Sequence, residues 1–137
     1  MRLYNIYGNL VKKSVSQYIV DWDGKSRSNI QFETKQFLKQ FWKNHIVYEE
    51  FPVYGSLMKV DIVNATMRIA VEVNGAQHNQ FHYFHNKSPA KYLKSIKNDI
   101  QKREWLEKNN FKVVEINHDE VALLSHSFFK EKFGITL

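Results

Sequence analysis

Two short runs constrain this chain more than any other feature. Leu57 to Val63 and Arg68 to Val73 are dense in Val, Ile and Ala, and Asn64-Ala65-Thr66 between them reads as the turn of a β-hairpin. Each run holds one acid: Asp61 in Lys59-Val60-Asp61-Ile62-Val63 and Glu72 in Ile69-Ala70-Val71-Glu72-Val73. Acids are disfavoured among strand formers. One explanation is a solvent-facing position on an alternating strand. The other is chemical. The turn would bring the two carboxylates side by side, where they repel unless a cation lies between them. Paired oxygen ligands of this kind suit Mg²⁺, which binds through one or two carboxylates plus substrate phosphate.

The flanking sequence places this hairpin in an α/β fold. Ser28-Asn29-Ile30-Gln31 fits a capping box, with Ser28 as cap and Gln31 reaching back. Ile30, Phe37, Leu38, Phe41 and Trp42 follow at helical spacing, which predicts a helix over 29–44. Ile46 to Phe51 reads as a strand ended by Pro52, and Tyr54-Gly55-Ser56 as a turn. A loop rich in His, Asn and aromatics runs from Gly75 to Lys87. Ser88-Pro89 then starts a helix expected to reach Lys108 and to stop at Asn109-Asn110. Phe111 to Ile116 is a short strand, and Asn117 to Glu120 opens a last helix with Asn117 as cap. The result is a small mixed central sheet of about four strands flanked by helices. The step from Val71 to Ile116 is expected to be a right-handed crossover that makes those two strands parallel. Leu10 to Trp22 fits strand and helix equally, and Asp23 to Asn29 is small and polar, a loop. With 137 residues the expectation is a single domain, divided into an N-terminal extension (1–27), a core (28–117) and a C-terminal helix (118–137).

Composition narrows the function. There is no cysteine, which excludes disulfides, thiolate zinc sites and cysteine catalysis. No apolar run approaches the ~20 residues needed to span a bilayer. Met1-Arg2-Leu3-Tyr4-Asn5 lacks the apolar stretch of a signal peptide, so a soluble cytoplasmic protein is expected. Twenty Lys and Arg against fourteen Asp and Glu leave a formal charge of +6. A basic surface draws polyanions, nucleic acid foremost, although it is also compatible with an inert one.

The segment Glu72-Val73-Asn74-Gly75-Ala76-Gln77-His78, following Val60-Asp61-Ile62, carries a resemblance. With Lys97-Asn98-Asp99, Lys102-Arg103, Leu106 and Phe111-Lys112-Val113-Val114-Glu115-Ile116 further on, this order is similar to the PD-(D/E)XK nuclease superfamily. The closest branch is that of the very-short-patch-repair endonucleases and related homing-type and phage enzymes. The similarity spans about Ser28 to Ile116. It implies a restriction-endonuclease-like core and a Mg²⁺-dependent endonuclease acting on DNA, with Mn²⁺ as a substitute ion. Asp61, Glu72 and the main-chain carbonyl of Val73 would bind the metal, and Glu33 would join them directly or through water. His78 would activate water or stabilise the leaving group, roles for which its near-neutral pKa suits it. Asp99 would stand beside the active site, orienting His78, with Arg103 near it or near phosphate. Short nucleases of this kind often act as homodimers.

Asn110 stands where the family usually has Gly before the last strand, and one further departure matters more. Asn74 occupies the catalytic position where many members carry Lys, although the very-short-patch-repair branch lacks that lysine too. The general base is therefore open among His78, Lys59, Lys97 and no protein group at all. His82 and His85 are candidate phosphate contacts, with Lys87, Lys91, Lys94 and Lys97, and also Lys102, as a basic track. Arg27, Lys25 and Lys13 extend it. Each of these has an ordinary reading beside the functional one. Glu33 is a good helix former near a helix start, Asp99 and Arg103 fit an i,i+4 ion pair, and the lysines fit a solvated helix face. His78, His82 and His85 also admit a zinc site. Two other functions stay open: a nucleic-acid-binding module that keeps a nuclease fold without catalysis, and a nuclease directed to RNA.

Overall fold

The computed structural model describes residues 1–74 and 89–137. Among the described residues the strands form two sheets. β1 (Arg2–Tyr4) and β2 (Leu10–Lys12) pair antiparallel as a two-stranded ribbon. The main sheet has the order β3-β4-β5-β6, built from β3 (Val47–Pro52), β4 (Lys59–Asn64), β5 (Ile69–Asn74) and β6 (Lys112–Asn117). The first three strands are antiparallel, and β6 runs parallel to β5 from Ile69↔Lys112 to Asn74↔Asn117. The helices are α1 (Asn29–Trp42), α2 (Pro89–Lys108) and α3 (His126–Phe133). This is the expected α/β architecture, a mixed four-stranded sheet flanked by helices.

Strand alternation sends side chains to two apolar layers. Ile62, Val71, Val73, Val114 and Ile116 pack with Leu38 and Trp42 of α1 and Phe129 of α3. Val63, Ala70 and Val113 face the other way, with Trp105 and Leu106 of α2. Leu38 and Trp42 have no exposed surface. Burying a side chain of this kind contributes about 1.5–3 kcal/mol, so the α1 stripe and the sheet alternation together orient the helix.

The termini of the elements show where local rules won and lost. Ser28 caps α1, its Oγ accepting from the Gln31 N–H at 3.2 Å. The Gln31 side chain, however, does not reach back. It donates to Glu49 and Glu50 instead, because two charge-assisted bonds outweigh one capping bond. α2 ends as expected: Asn110 takes φ +66°, and the N–H groups of Asn110 and Phe111 bond the carbonyls of Glu107 and Leu106. That is a Schellman closure with Asn in the left-handed position. β5 begins one residue late, because Arg68 takes φ +58° and belongs to the turn.

The expected last helix does not start at Asn117. Asn117 still pairs with Asn74 in the sheet. Glu120 does accept from the Asn117 N–H at 3.0 Å, but only a single 3₁₀ turn follows, Val121–Leu123. Leu124 is extended, and Ser125 caps α3. The undecided stretch Leu10 to Trp22 resolves into β2 and one 3₁₀ turn, Ser16–Tyr18. The N-terminal segment joins α2 to the β3–β4 turn: Trp105 Nε1 donates to the Tyr4 carbonyl at 2.6 Å, and the Ile6 N–H donates to the Tyr54 carbonyl at 2.9 Å. No helix among the described residues is long and apolar enough to cross a membrane.

Candidate functional site

Register builds the site. β5 and β6 place Glu72 opposite Glu115. One step beyond Ile62↔Val71, the β4–β5 register sets Asp61 opposite Glu72. The β3–β4 register passes from Glu49↔Ile62 to Phe51↔Val60, which leaves Glu50 at the Asp61 step. Glu50, Asp61, Glu72 and Glu115 thus form a row across all four strands. All four line one cavity of about 610 Å³, where α2 contributes Ser95, Asn98, Asp99, Lys102, Arg103 and Leu106. The two strand acids that stood out in the sequence therefore share a face, the one turned toward α2.

Asp61 is the buried member, with 5% of its surface exposed. Its Oδ2 accepts from the Val73 N–H at 2.8 Å, and its own N–H donates to Glu72 Oε2 at 3.3 Å. Its Oδ1 accepts from Arg27 Nη2 at 3.1 Å. Burial above all, and then the neighbouring Glu72 carboxylate, push the Asp61 carboxyl up to about 7; the Val73 N–H and Arg27 pull the other way.

Each acid of the row has a protein cation. Arg27 Nε lies 3.8 Å from Glu50 Oε1, Lys102 Nζ 2.7 Å from Glu72 Oε1, and Arg103 Nη2 2.7 Å from Glu115 Oε1. Glu50 holds a left-handed backbone, φ +52°, a conformation that costs a non-glycine residue of order 1 kcal/mol. Its side chain accepts from Gln31 Nε2 at 3.1 Å.

Among the described residues, Glu50, Asp61, Glu72, Asp99 and Glu115 line the cavity together with Arg27, Lys59, Lys102 and Arg103. A divalent cation held between the Asp61 and Glu72 carboxylates would add positive charge for a phosphate to approach. Asp61 and Glu72 are hard oxygen donors, and the fit to a divalent ion is that of two carboxylates with water and phosphate completing the shell. Among the described residues no three acid or histidine side chains converge to cage an ion by themselves.

The other expected site residues divide. Val73, Asn74, Asp99 and Arg103 line the cavity with Asp61 and Glu72, as does Lys59. Asn74 Nδ2 lies 3.4 Å from Asn117 Oδ1, and the cation beside Glu72 comes from α2, as Lys102. Arg103 pairs with Glu115, four strand positions of sequence beyond Phe111, rather than with Asp99 one turn away. Lys91, Lys94 and Lys97 are exposed on α2 and do not line the cavity. His78, His82, His85 and Lys87 lie outside the described residues, and with them the zinc reading.

Glu33 stands apart from the acid row. It is exposed and does not line the cavity. The buried stripe of α1 runs from Ile30 through Thr34 to Leu38, so Glu33 stands about 100° away from it. The first helix supplies Gln31 and Lys35 to the neighbourhood of the site, and the acid comes from β3, as Glu50. Glu50 and Glu115 are the members of the acid row that the sequence does not single out, and Lys102 figures there as part of a basic track. The available signal was the pair Glu49-Glu50 beside Phe51, a second case of acids in a strand. Matched against family models, curated proteins and solved structures, the chain finds no match.

Proposed function

We propose that this chain is a metal-dependent endonuclease that hydrolyses DNA phosphodiester bonds, built in the manner of the PD-(D/E)XK nucleases. The observation that carries the reading is the pairing of Asp61 with Glu72 on one face of adjacent strands, in a cavity that Arg27, Lys59, Lys102 and Arg103 also line. Mg²⁺, or Mn²⁺ in its place, would be held by Asp61 and Glu72. Such an ion polarises the phosphoryl oxygen and lowers the pKa of a bound water. Arg27, Lys59 and Lys102 are the side chains placed to take up phosphate charge when the ion engages the acids. Of the two lysines considered as general base, Lys59 lines the cavity and Lys97 does not. The exposed lysines of α2, and action as a cytoplasmic homodimer, belong to the same reading.

Supercoiled plasmid incubated with Mg²⁺ tests it. Nicking is expected, and it is expected to stop with a chelator and in an Asp61→Ala/Glu72→Ala variant. Nicking that survives in the double variant overturns the assignment. A second reading, a nucleic-acid-binding module without catalysis, is favoured by one observation: Glu72 is already neutralised by Lys102, and Asn74 brings no cation of its own. It predicts salt-sensitive DNA binding with no cleavage. A labelled RNA in the same assay separates DNA from RNA as substrate.

A further inference from the structure

Lys35 has no exposed surface, although lysine is almost never fully buried unless paired. Its ammonium has three protons and finds three acceptors. These are the Asp21 carbonyl at 2.9 Å, the Gly24 carbonyl at 2.8 Å and Glu49 Oε1 at 3.0 Å. The other oxygen of Glu49 accepts from Ser26 Oγ at 2.6 Å and from Gln31 Nε2 at 2.9 Å. One buried ion pair thus holds the loop at Asp21, Gly24 and Ser26. The next residue is Arg27, whose guanidinium reaches Asp61 and Glu50.

A buried ion pair is a poor device for stability, because desolvation cancels much of the attraction and apolar replacements are often neutral or better. What this pair does determine is geometry. Glu49 faces α1, while Glu50 and Asp61 face α2, and β3 is an edge strand. The Asp21–Arg27 loop crosses that edge. At Gly24 it runs so close to Asp21 that a Cβ would lie 2.6 Å from the Asp21 Oδ2.

We propose that Lys35, with Glu49, is a positioning residue: it clamps the Asp21–Arg27 loop so that the Arg27 guanidinium is presented at the Asp61 end of the cavity, to receive the substrate phosphate. The phosphate role rests on the nuclease reading above; the clamp does not. Arg27 suits that role because its planar donors match phosphate oxygens.

The test uses the full chain and the variants Lys35→Met/Glu49→Leu, Ser26→Ala and Arg27→Ala, with the first two made both alone and in combination with Arg27→Ala. Removing both partners avoids leaving a lone buried charge. Ser26→Ala removes only the last tether, and it keeps the test alive if the paired variant does not fold. The readouts are the urea midpoint, tryptic cleavage after Lys25, affinity for a labelled DNA duplex in chelator, and nicking with Mg²⁺. In the paired variant the urea midpoint is expected to stay near that of the parent protein. Tryptic cleavage is expected to rise roughly tenfold or more as the loop opens locally. Duplex affinity and nicking are expected to fall to the level of Arg27→Ala, with no further loss when the variants are combined. Ser26→Ala is expected to show the same pattern in weaker form. Unchanged tryptic cleavage overturns the clamp, and additive losses with Arg27→Ala overturn its action through Arg27. If the parent protein neither binds nor nicks DNA, the phosphate role falls with the nuclease reading, and the tryptic arm still decides the clamp.

Discussion

Replacing Asp61 by Asn is expected to stabilise the metal-free protein, and to do so increasingly as pH rises. The Asp61 carboxyl goes from an ordinary value of 3.8 to about 7 in the folded state. Its folded pKa lies above its unfolded one, so the folded protein holds the extra proton between those values and stability falls as pH climbs through them. About three units at ~1.36 kcal/mol each give an upper limit of about 4 kcal/mol above pH 7. Losing the ion pair to Arg27 lowers that figure by about 0–1 kcal/mol, because its arginine is 56% exposed. The amide keeps an oxygen for the Val73 N–H. A net gain of about 2 kcal/mol at pH 8, vanishing near pH 4, is the expectation. Urea denaturation of both proteins across that range, with equal m-values, measures it. Mg²⁺ is expected to reverse the order, because only the parent protein has the carboxylate pair to bind it. An Asn variant that is less stable than the parent protein by the same amount at pH 4 and pH 8 would refute the reasoning, since its effect would then not come from charge.

Lys102→Met leaves Glu72 beside Asp61 with no cation; we expect a loss of about 1–3 kcal/mol that Mg²⁺ restores more fully than it stabilises the parent protein, read as thermal midpoints with and without the ion. Glu120 is partly buried, which raises its pKa, but Lys132 and the Asn117 N–H together outweigh this and hold the carboxyl below its ordinary range. A lowered folded pKa contributes stability above the unfolded value of 4.5 that is lost as pH falls. Glu120→Gln is therefore expected to cost up to about 1 kcal/mol at neutral pH and almost nothing near pH 3, by the same urea titration. Asn110→Gly removes a Cβ from a left-handed position, and a gain of about 0.5 kcal/mol is expected at the end of α2.

The elements could be read in advance because their signals are local. Ser28, the stripe from Ile30 to Trp42, Pro89 and the β-branched runs each act within a few residues, and helix and strand periods are properties of short windows. Asp61 and Glu72 could be read for the same reason, as acids among strand formers. Local signals failed where a distant partner was stronger. Gln31 abandoned its cap for Glu49 and Glu50, Glu120 bonded Asn117 without opening a helix, and the small polar stretch from Asp23 to Asn29 is tied down by a buried lysine.

The order of elements, the hairpin and the two acids it aligns follow from the amino-acid pattern alone, because backbone preference and side-chain period are set by neighbours along the chain. The partners of those acids were decided by the folded structure. Glu50 and Glu115 join the row through strand register, Lys102 and Arg103 through the placement of α2, and Arg27 through a loop held by Lys35. Charges separated by dozens of residues act on one another only after the apolar layers have packed and brought them within a few ångströms.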